Sequence, residues 1–403
     1  HITWGTGPGI VAPFQAALEQ AERTGHLTVL PRHRVTALTM QDGAVTGAQG
    51  EILGSSAAGR GEPSARDAVG MFEITAAATI VTSGGIGGNH DLVRAAWPAR
   101  LGTPPADMLT GVPAYVDGSM QTVSAAAGAR LINGDRMWHY VEGIRNWDPV
   151  WPGHGIRILP GPSSLWLDAT GRRLPVPLYP GFDTLGTLAH LRGTGHDHSW
   201  FVTTRQIVEK EFALSGSEQN PDLTGKDVPL LVRSRLAKGP TDPVQAFLDR
   251  GEDFVVETDL DRLVARMQEL PGGEALDPER VREEVVARDR EIGNDFTKDA
   301  QIAMLRSARA YRGDRLIRTA SPHRLQDPSA GPLIAVRLRV ITRKSLGGIE
   351  TGGDPPQDLA HALRRPGRIA IGHAAAGEAH DGDDVGIVDG QAGRKGDVVG
   401  RDP

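Results

Sequence analysis

The sequence predicts an α/β fold in which a sheet-based unit is interrupted by an α-rich one. Three observations carry this. The stretch TIVTSGGIGGNHDLV, from Thr79 to Val93, reads as strand, glycine turn and helix start. A β-meander precedes it. The middle third of the chain then turns to helical spacing before a last apolar strand near residue 333.

The central stretch comes first. Thr79-Ile80-Val81-Thr82 is a short β-branched apolar run that suits a buried strand. Ser83-Gly84-Gly85 breaks it with residues that turn sharply and let a second molecule approach the backbone. Asn89 stands at the N-cap position, and His90-Asp91-Leu92-Val93 starts a helix with an acid in its first turn. Such a corner commonly faces a cofactor. A tight turn with no ligand is the alternative, because a glycine pair is a weak motif.

Upstream, Gly5-Thr6-Gly7-Pro8-Gly9 reads as a flexible loop opening a helix with Val11, Phe14, Leu18 and Ala21 on one face. The loop lacks the Lys-Ser/Thr of a phosphate-binding P-loop. Asp42-Gly43 is a hairpin signal between Val35–Thr39 and Ala44–Gly47. Residues 54–66 are glycine-rich and polar, an exposed loop, and Met71 to Ile74 is a further strand.

Downstream, Asp117-Gly118 starts a small-residue helix through Met120, Val123 and Ala127. His139 and Tyr140 sit in RMWHYVEG, an aromatic-histidine cluster that lines a pocket or packs a core. Leu165-Trp166-Leu167 is strand-like, and Asp168 to Arg173 is a turn. Asp242-Pro243 and Asp277-Pro278 each fit a helix N-cap followed by its first residue. Leu260, Leu263, Val264, Met267 and Leu270 have helix spacing, and 297–312 is helical as well. His196 and His198 flank one residue, as metal ligands do, but no carboxylate-bearing helix accompanies them. Leu333 to Val340 is a strand, and Arg343-Lys344 stands just before a second glycine pair, Gly347-Gly348. From there to Pro403 there is no Phe, Trp, Tyr or Met. A tail over 352–403 of that composition is expected to be disordered.

Composition narrows the function classes. The 403 residues suffice for two or three domains. With 44 Lys plus Arg against 50 Asp plus Glu, and no basic block, a nucleic-acid partner is not expected. The absence of cysteine excludes disulfides, Cys-ligated zinc and Cys nucleophiles. No apolar run approaches the ~18 residues of a membrane span. No secretory signal is present, so a cytoplasmic location is expected.

Taken together, HITWGTGPGI, RHRV, VTSGGIGGNHDLV, MWHY, GIRILPGPSSLWLDATGRRLP, FALSGSEQNPDLTGK, FTKD, PHRLQDPSAGPLIAVRL and TRKSLGGIET resemble the FAD-binding dehydrogenases of the fumarate reductase / 3-ketosteroid dehydrogenase flavoprotein superfamily. The ketosteroid-dehydrogenase-like group is the nearest in character. The resemblance runs from His1 to about Thr351. It implies a FAD-binding domain over 1–137, a capping domain over 138–331, a return to the FAD-binding domain over 332–351, and FAD as cofactor. It implies that Val35 meets the adenine half of FAD through its backbone. Ser83, Gly84 and Gly85 would border the cofactor, and Arg343 to Gly348 would run along the isoalloxazine and the substrate.

The implied reaction removes two hydrogens from adjacent carbons beside a carbonyl, with a small-molecule substrate and a separate electron acceptor. His139 and Tyr140 are acid/base candidates. Arg343 and Lys344 are candidates to polarise a carbonyl. Two departures from the pattern stand out. No GxGxxG unit is present, and the family's C-terminal glycine-rich helix does not follow Ala375-Ala376-Gly377-Glu378-Ala379. The chain therefore looks truncated at its start, and a non-catalytic remnant is the alternative reading. The fumarate-type Thr-Glu pair is replaced by Leu159-Pro160, and no arginine appears in LPVPLYPGFDT after Arg173. With Trp138, Trp147, Trp151 and Trp166 near in sequence, a bulky neutral ketone is expected rather than a dicarboxylate, which needs several cations.

Overall fold

The computed structural model describes residues 3–350 and the backbone of a strand at Ile369–Ile371. The rest of the expectation for 352–403, including Ala375 to Ala379, lies outside the described residues.

The first helix, α1, spans Thr6–Arg23. The glycine segment expected as a loop is therefore mostly helix. Gly5, at φ 84°, caps it, and Pro8 falls in the first turn, where a backbone N–H has no helical partner. The face with Ile10, Phe14 and Leu18 is exposed, not buried.

An antiparallel meander follows, made of β1 (His33–Gln41), β2 (Ala44–Leu53) and β3 (Ala68–Thr75). Asp42 and Gly43 both take positive φ, the geometry of a two-residue hairpin turn. Strand β4 (Thr79–Val81) leads through the glycine turn into helix α2 (His90–Ala95). Asn89 caps α2, accepting the N–H groups of Asp91 and Leu92 at 3.1 Å each. Next come β5 (Met108–Thr110) and helix α3 (Ser119–Ala126). Met120 and Val123 of α3 pack on Leu38, Val45 and Ala48 of the meander.

The remaining strands are β6 (Leu131–Ile132), β7 (Met137–Arg145), β8 (Gly155–Leu159), β9 (Leu165–Asp168), β10 (His198–Thr204), β11 (Ala213–Leu214), β12 (Phe254–Glu257), β13 (Leu333–Ser345), β14 (Gly348–Ile349) and β15 (Ile369–Ile371). They reshape the middle third. The helices expected there exist, at Asp242–Arg250, Leu260–Glu269, Pro278–Ile292 and Ala300–Ala308. They pack on a largely antiparallel sheet ordered β11-β8-β7-β13-β10-β9, with β12 and β5 also paired to β13.

β13 explains why that sheet is central. Ile334, Val336, Leu338 and Val340 point into one core; Leu333 and Ala335 point into the other. Arg337 and Arg339 continue the second face, and both bind the buried Asp253 at 3.0 Å. A strand buried on both sides can carry those cations only because a carboxylate meets them. The segment expected to return directly to the first unit thus crosses the centre of the second before arriving there. β15 pairs in parallel with β4, so part of the tail adds a strand beside the glycine turn. Ile369-Ala370-Ile371 is a short apolar run suited to that edge.

Candidate functional site

Two neighbouring clefts share Arg66 and Tyr115, and the first borders the glycine turn. The first has a volume of about 520 Å³ and lies between β1 and β4, with α3 as its floor. Its walls include Val35, Thr36, Thr82, Ser83, Met120 and Val123. The second, about 340 Å³, is lined by Arg32, Glu62, Pro113, Val150 and Trp151. Arg66 and Tyr115 line both. The volumes fall in the range of small-molecule pockets, and the apolar walls with a few cations suit a nucleotide-sized ligand.

The turn after β4 is bound tightly to β13. Gly84 takes φ 79°, a conformation that favours glycine. Ile86 N–H donates to Ser345 Oγ at 2.9 Å, and Thr342 Oγ1 donates to the Gly87 carbonyl at 2.7 Å. A Cβ on Gly85 would collide with the Ser345 side chain; one on Gly87 would come within 2.6 Å of the Arg343 carbonyl. Gly85 and Gly87 are therefore needed for close packing of turn on strand.

Of the residues singled out from sequence, Val35 and Ser83 share the first cleft, and Gly84 and Gly85 continue the turn. Arg343 lies alongside and donates from Nη1 to the Gly111 carbonyl at 3.2 Å. Lys344 is exposed, opposite Trp138 in the β7–β13 ladder. Gly347 and Gly348 fold back along residues 130–136: Gly347 N–H donates to Arg136 O at 3.2 Å, and Gly348 pairs with Ile132. Neither lines the two clefts.

His139 and Tyr140 are neighbours on β7 with opposite surroundings. His139 is 3% exposed and stacks on Trp97 with ring centres 5.6 Å apart. Both its nitrogens are sealed without a partner. Burial, reinforced by nearby His90, lowers its pKa to about 4. It is a neutral core histidine in this structure. Tyr140 is half-buried. The Arg157 guanidinium stands 3.7 Å over its ring, and Arg157 Nε bonds Glu142 at 3.2 Å. The Glu142 carboxyl is pushed up by burial, against the pull of Arg157.

The four tryptophans do not form one wall. Trp166 is in the core on Phe201, and Trp147 lies under Arg250. Trp151 lines the second cleft, and Trp138 is exposed. His196 and His198 sit with ring centres 6.3 Å apart. Among the described residues no group of three or more His, Cys, Asp or Glu is placed to hold a metal. No described helix is long and apolar enough to cross a membrane.

Sequence reasoning missed Arg66, Tyr115, His154 and Arg157. His154 stands in WPGHG, three residues after Trp151, whose ring it meets at 3.7 Å.

The chain is 57% identical over 380 residues to a KsdD-like steroid dehydrogenase of Mycobacterium tuberculosis, covering 94% of this chain and 65% of that protein. It is 56% identical over 379 residues to a KsdD-like steroid dehydrogenase of Mycolicibacterium smegmatis, covering 68% of it. The chain thus spans about two thirds of the length of these relatives. The crystal structure of 3-ketosteroid delta1-dehydrogenase from Sterolibacterium denitrificans, in complex with 1,4-androstadiene-3,17-dione, superposes with a TM-score of 0.51 at 15% identity. That superposition covers 84% of this chain and 52% of that one, and it shows the shared fold. The family model described as "FAD binding domain" matches residues 1–383, and the chain belongs to that FAD-binding family.

Proposed function

We propose that the chain is the larger part of a FAD-dependent dehydrogenase that acts on a steroid-like ketone, removing hydrogens from two adjacent carbons beside the carbonyl. The observation that carries the reading is the 57% identity to a KsdD-like steroid dehydrogenase over 94% of the chain. The clefts support it. The first fits the nucleotide half of FAD: β1 around Val35 and the apolar Met120 and Val123 suit a flat base, and Arg66 and Ser83 suit polar groups. Ser83 to Gly85 and the strand end at Arg343 would hold the remainder.

FAD, when bound, supplies the hydride acceptor. The chain's own residues bind, orient and exchange a proton. Tyr140 is the acid/base group in this reading. It has no hydrogen-bond partner among the described residues, its hydroxyl is not sealed, and its ring is steadied by Arg157. His139 is set aside because its nitrogens reach nothing. Arg343, fixed by the Gly111 carbonyl, and exposed Lys344 are the cations available to a carbonyl oxygen.

The test is to purify the chain, add FAD, and follow flavin bleaching under anaerobic conditions with a 3-ketosteroid and with fumarate-type dicarboxylates. Bleaching by the ketosteroid alone is expected. No flavin binding, or no bleaching by any ketosteroid, contradicts the reading.

A further inference from the structure

The loop joining β2 to β3, residues 54–66, is tied down at two places. None of its residues is buried, so apolar burial does not fix it. Its base is pinned. Arg32 Nη2 donates to the carbonyls of Gly54 and Ala65, and Ser56 Oγ accepts the N–H groups of Ala58 and Ala65 at 3.3 and 3.0 Å. Its tip is tied to a distant part of the chain. Arg60 Nε donates to Asp148 Oδ1 at 3.1 Å, Nη2 to the Asp148 carbonyl at 3.2 Å, and Nη1 to Glu218 Oε1 at 2.8 Å. Next to it, the Gly61 N–H donates to the Val150 carbonyl at 3.1 Å.

These ties join two walls of the second cleft. Residues of the 54–66 loop form one wall and Val150 to Pro152 the other, with Pro113 to Tyr115 completing the lining. The wall that carries Asp148 is held in place. Asn146 Nδ2 donates to the Asp148 carbonyl at 2.9 Å, Asn146 Oδ1 accepts the Asp148 N–H at 3.1 Å, and His154 Nδ1 accepts the Val150 N–H at 3.2 Å. The loop is therefore the wall that can swing. At its base Arg32 Nε is sealed from solvent. At its tip the side chains of Arg60, Asp148 and Glu218 are 40%, 48% and 28% exposed, and water and salt weaken such pairs. Lifting the tip breaks a few polar contacts and uncovers no buried residue of the loop, which is the profile of a segment that opens locally.

The cleft behind the loop suits a bulky ketone. Its volume of about 340 Å³ lies in the small-molecule range, and Pro113, Val150 and Trp151 give it apolar walls. Trp151 Nε1 and Arg343 Nη1 bond the successive carbonyls of Thr110 and Gly111 at 3.4 and 3.2 Å, so the Trp151 wall adjoins a cation available to a carbonyl oxygen. We propose that the second cleft receives the ketone substrate and that residues 54–66 are its gate, latched by Arg60 on Asp148 and Glu218. The identity of the ligand rests on the ketosteroid reading above; the gate rests on the ties.

The chain has no cysteine, so Arg60→Cys with Asp148→Cys creates its only pair of thiols. A short bismaleimide across them locks the gate, and the unlinked double variant lacks the latch. Binding and release of a 3-ketosteroid are followed by stopped-flow tryptophan fluorescence with FAD present. The unlinked variant should bind and release the ketone roughly 2–5-fold faster than the parent, the scale of an exposed ion pair. The linked variant should be slower than both. Trypsin tests the latch with no ligand, because its specificity pocket must take in the arginine side chain. Glu218→Gln, or added salt, should speed cleavage after Arg60 relative to cleavage after Arg66. Equal ketone rates in the linked and unlinked forms overturn the proposal. So does an effect confined to FAD exchange, which would give the cleft to the cofactor, and so does cleavage after Arg60 that is indifferent to both Glu218→Gln and salt. A chain that binds no ketosteroid but shows the cleavage change overturns the ketosteroid reading and the ligand with it, and leaves the gate standing.

Discussion

Ser345 Oγ accepts the backbone N–H of Ile86 at 2.9 Å, joining two residues 259 positions apart. One directly follows the Ser83-Gly84-Gly85 turn after β4; the other is the last of β13. The contact is possible because Gly85, next to Ile86, leaves room for the Ser345 side chain. Gly85→Ala should therefore destabilise the fold by about 1–3 kcal/mol, the usual cost of overpacking. Ser345→Gly in the same chain should return part of it, because the colliding atoms are gone. Denaturant midpoints of the two single variants and the double variant check the coupling. Simple additivity of the two single effects would contradict the account.

Tyr140 and Arg157 form the second test. Tyr140→Phe keeps the ring under the guanidinium and removes only the hydroxyl. Turnover of a ketosteroid should fall by roughly 10²–10⁴-fold, with FAD affinity unchanged. Arg157→Gln removes the cation above the ring and the partner of the buried Glu142. It should lower both turnover and thermal stability, because a buried carboxyl is left without its charge partner. A Tyr140→Phe variant with full activity would remove this residue from the mechanism.

Acid should weaken the fold through its buried histidines. His139 and His198 are lowered to about 4, in each case first by burial. The unfolded chain titrates near 6.5, so between about pH 6.5 and 4 it binds more protons than the folded one. Stability therefore rises with pH in this window and is lost as pH falls. Each such group contributes a slope approaching ~1.4 kcal/mol per pH unit. His139→Phe preserves the stack on Trp97 and should flatten the dependence, as seen in urea midpoints at pH 5 and 7. An unchanged slope would mean that His139 is not neutral in the folded chain.

Local features were legible in the sequence where a single interaction decides them. The Asp42-Gly43 hairpin, the Asn89 cap and the Asp277-Pro278 helix start each depend on a few adjacent residues, and each appears as read. Non-local pairing was not legible. HSWFVTT became β10 and FVVE became β12 because β13 offers both edges to them; nothing in either run names that partner. Short apolar runs in a helical setting carry the same ambiguity.

The site divides along the same line. Val35 and Ser83 line one cleft, because backbone position there follows the strands. His139 and Tyr140 show what sequence leaves out. On a strand, neighbours point to opposite faces, so of two adjacent polar aromatics one is sealed against Trp97 and one stays accessible. Which is which depends on the register with β13, and bulges shift that register at this point. Gly347 and Gly348 follow β13 and are held along residues 130–136, outside both clefts.

Substitution within the first cleft tests its assignment to the nucleotide. Val123→Trp places a large ring from α3 into the space facing Val35. FAD affinity should fall by at least about 10-fold, since the added volume competes with a bound base. Because Val123 also packs on Leu38, Val45 and Ala48, the FAD-free variant is checked for a cooperative melt, which separates lost affinity from lost fold. Unaltered affinity would move the nucleotide elsewhere.

The central claim is that FAD lies across the first cleft and the glycine turn. Hydrogen exchange of the purified chain with and without FAD, read by mass spectrometry, addresses it most directly. Protection is predicted in 33–36, 79–88 and 119–123 on FAD addition, with 278–292 unaffected. Binding without protection at the first three segments, or no binding at all, would contradict it.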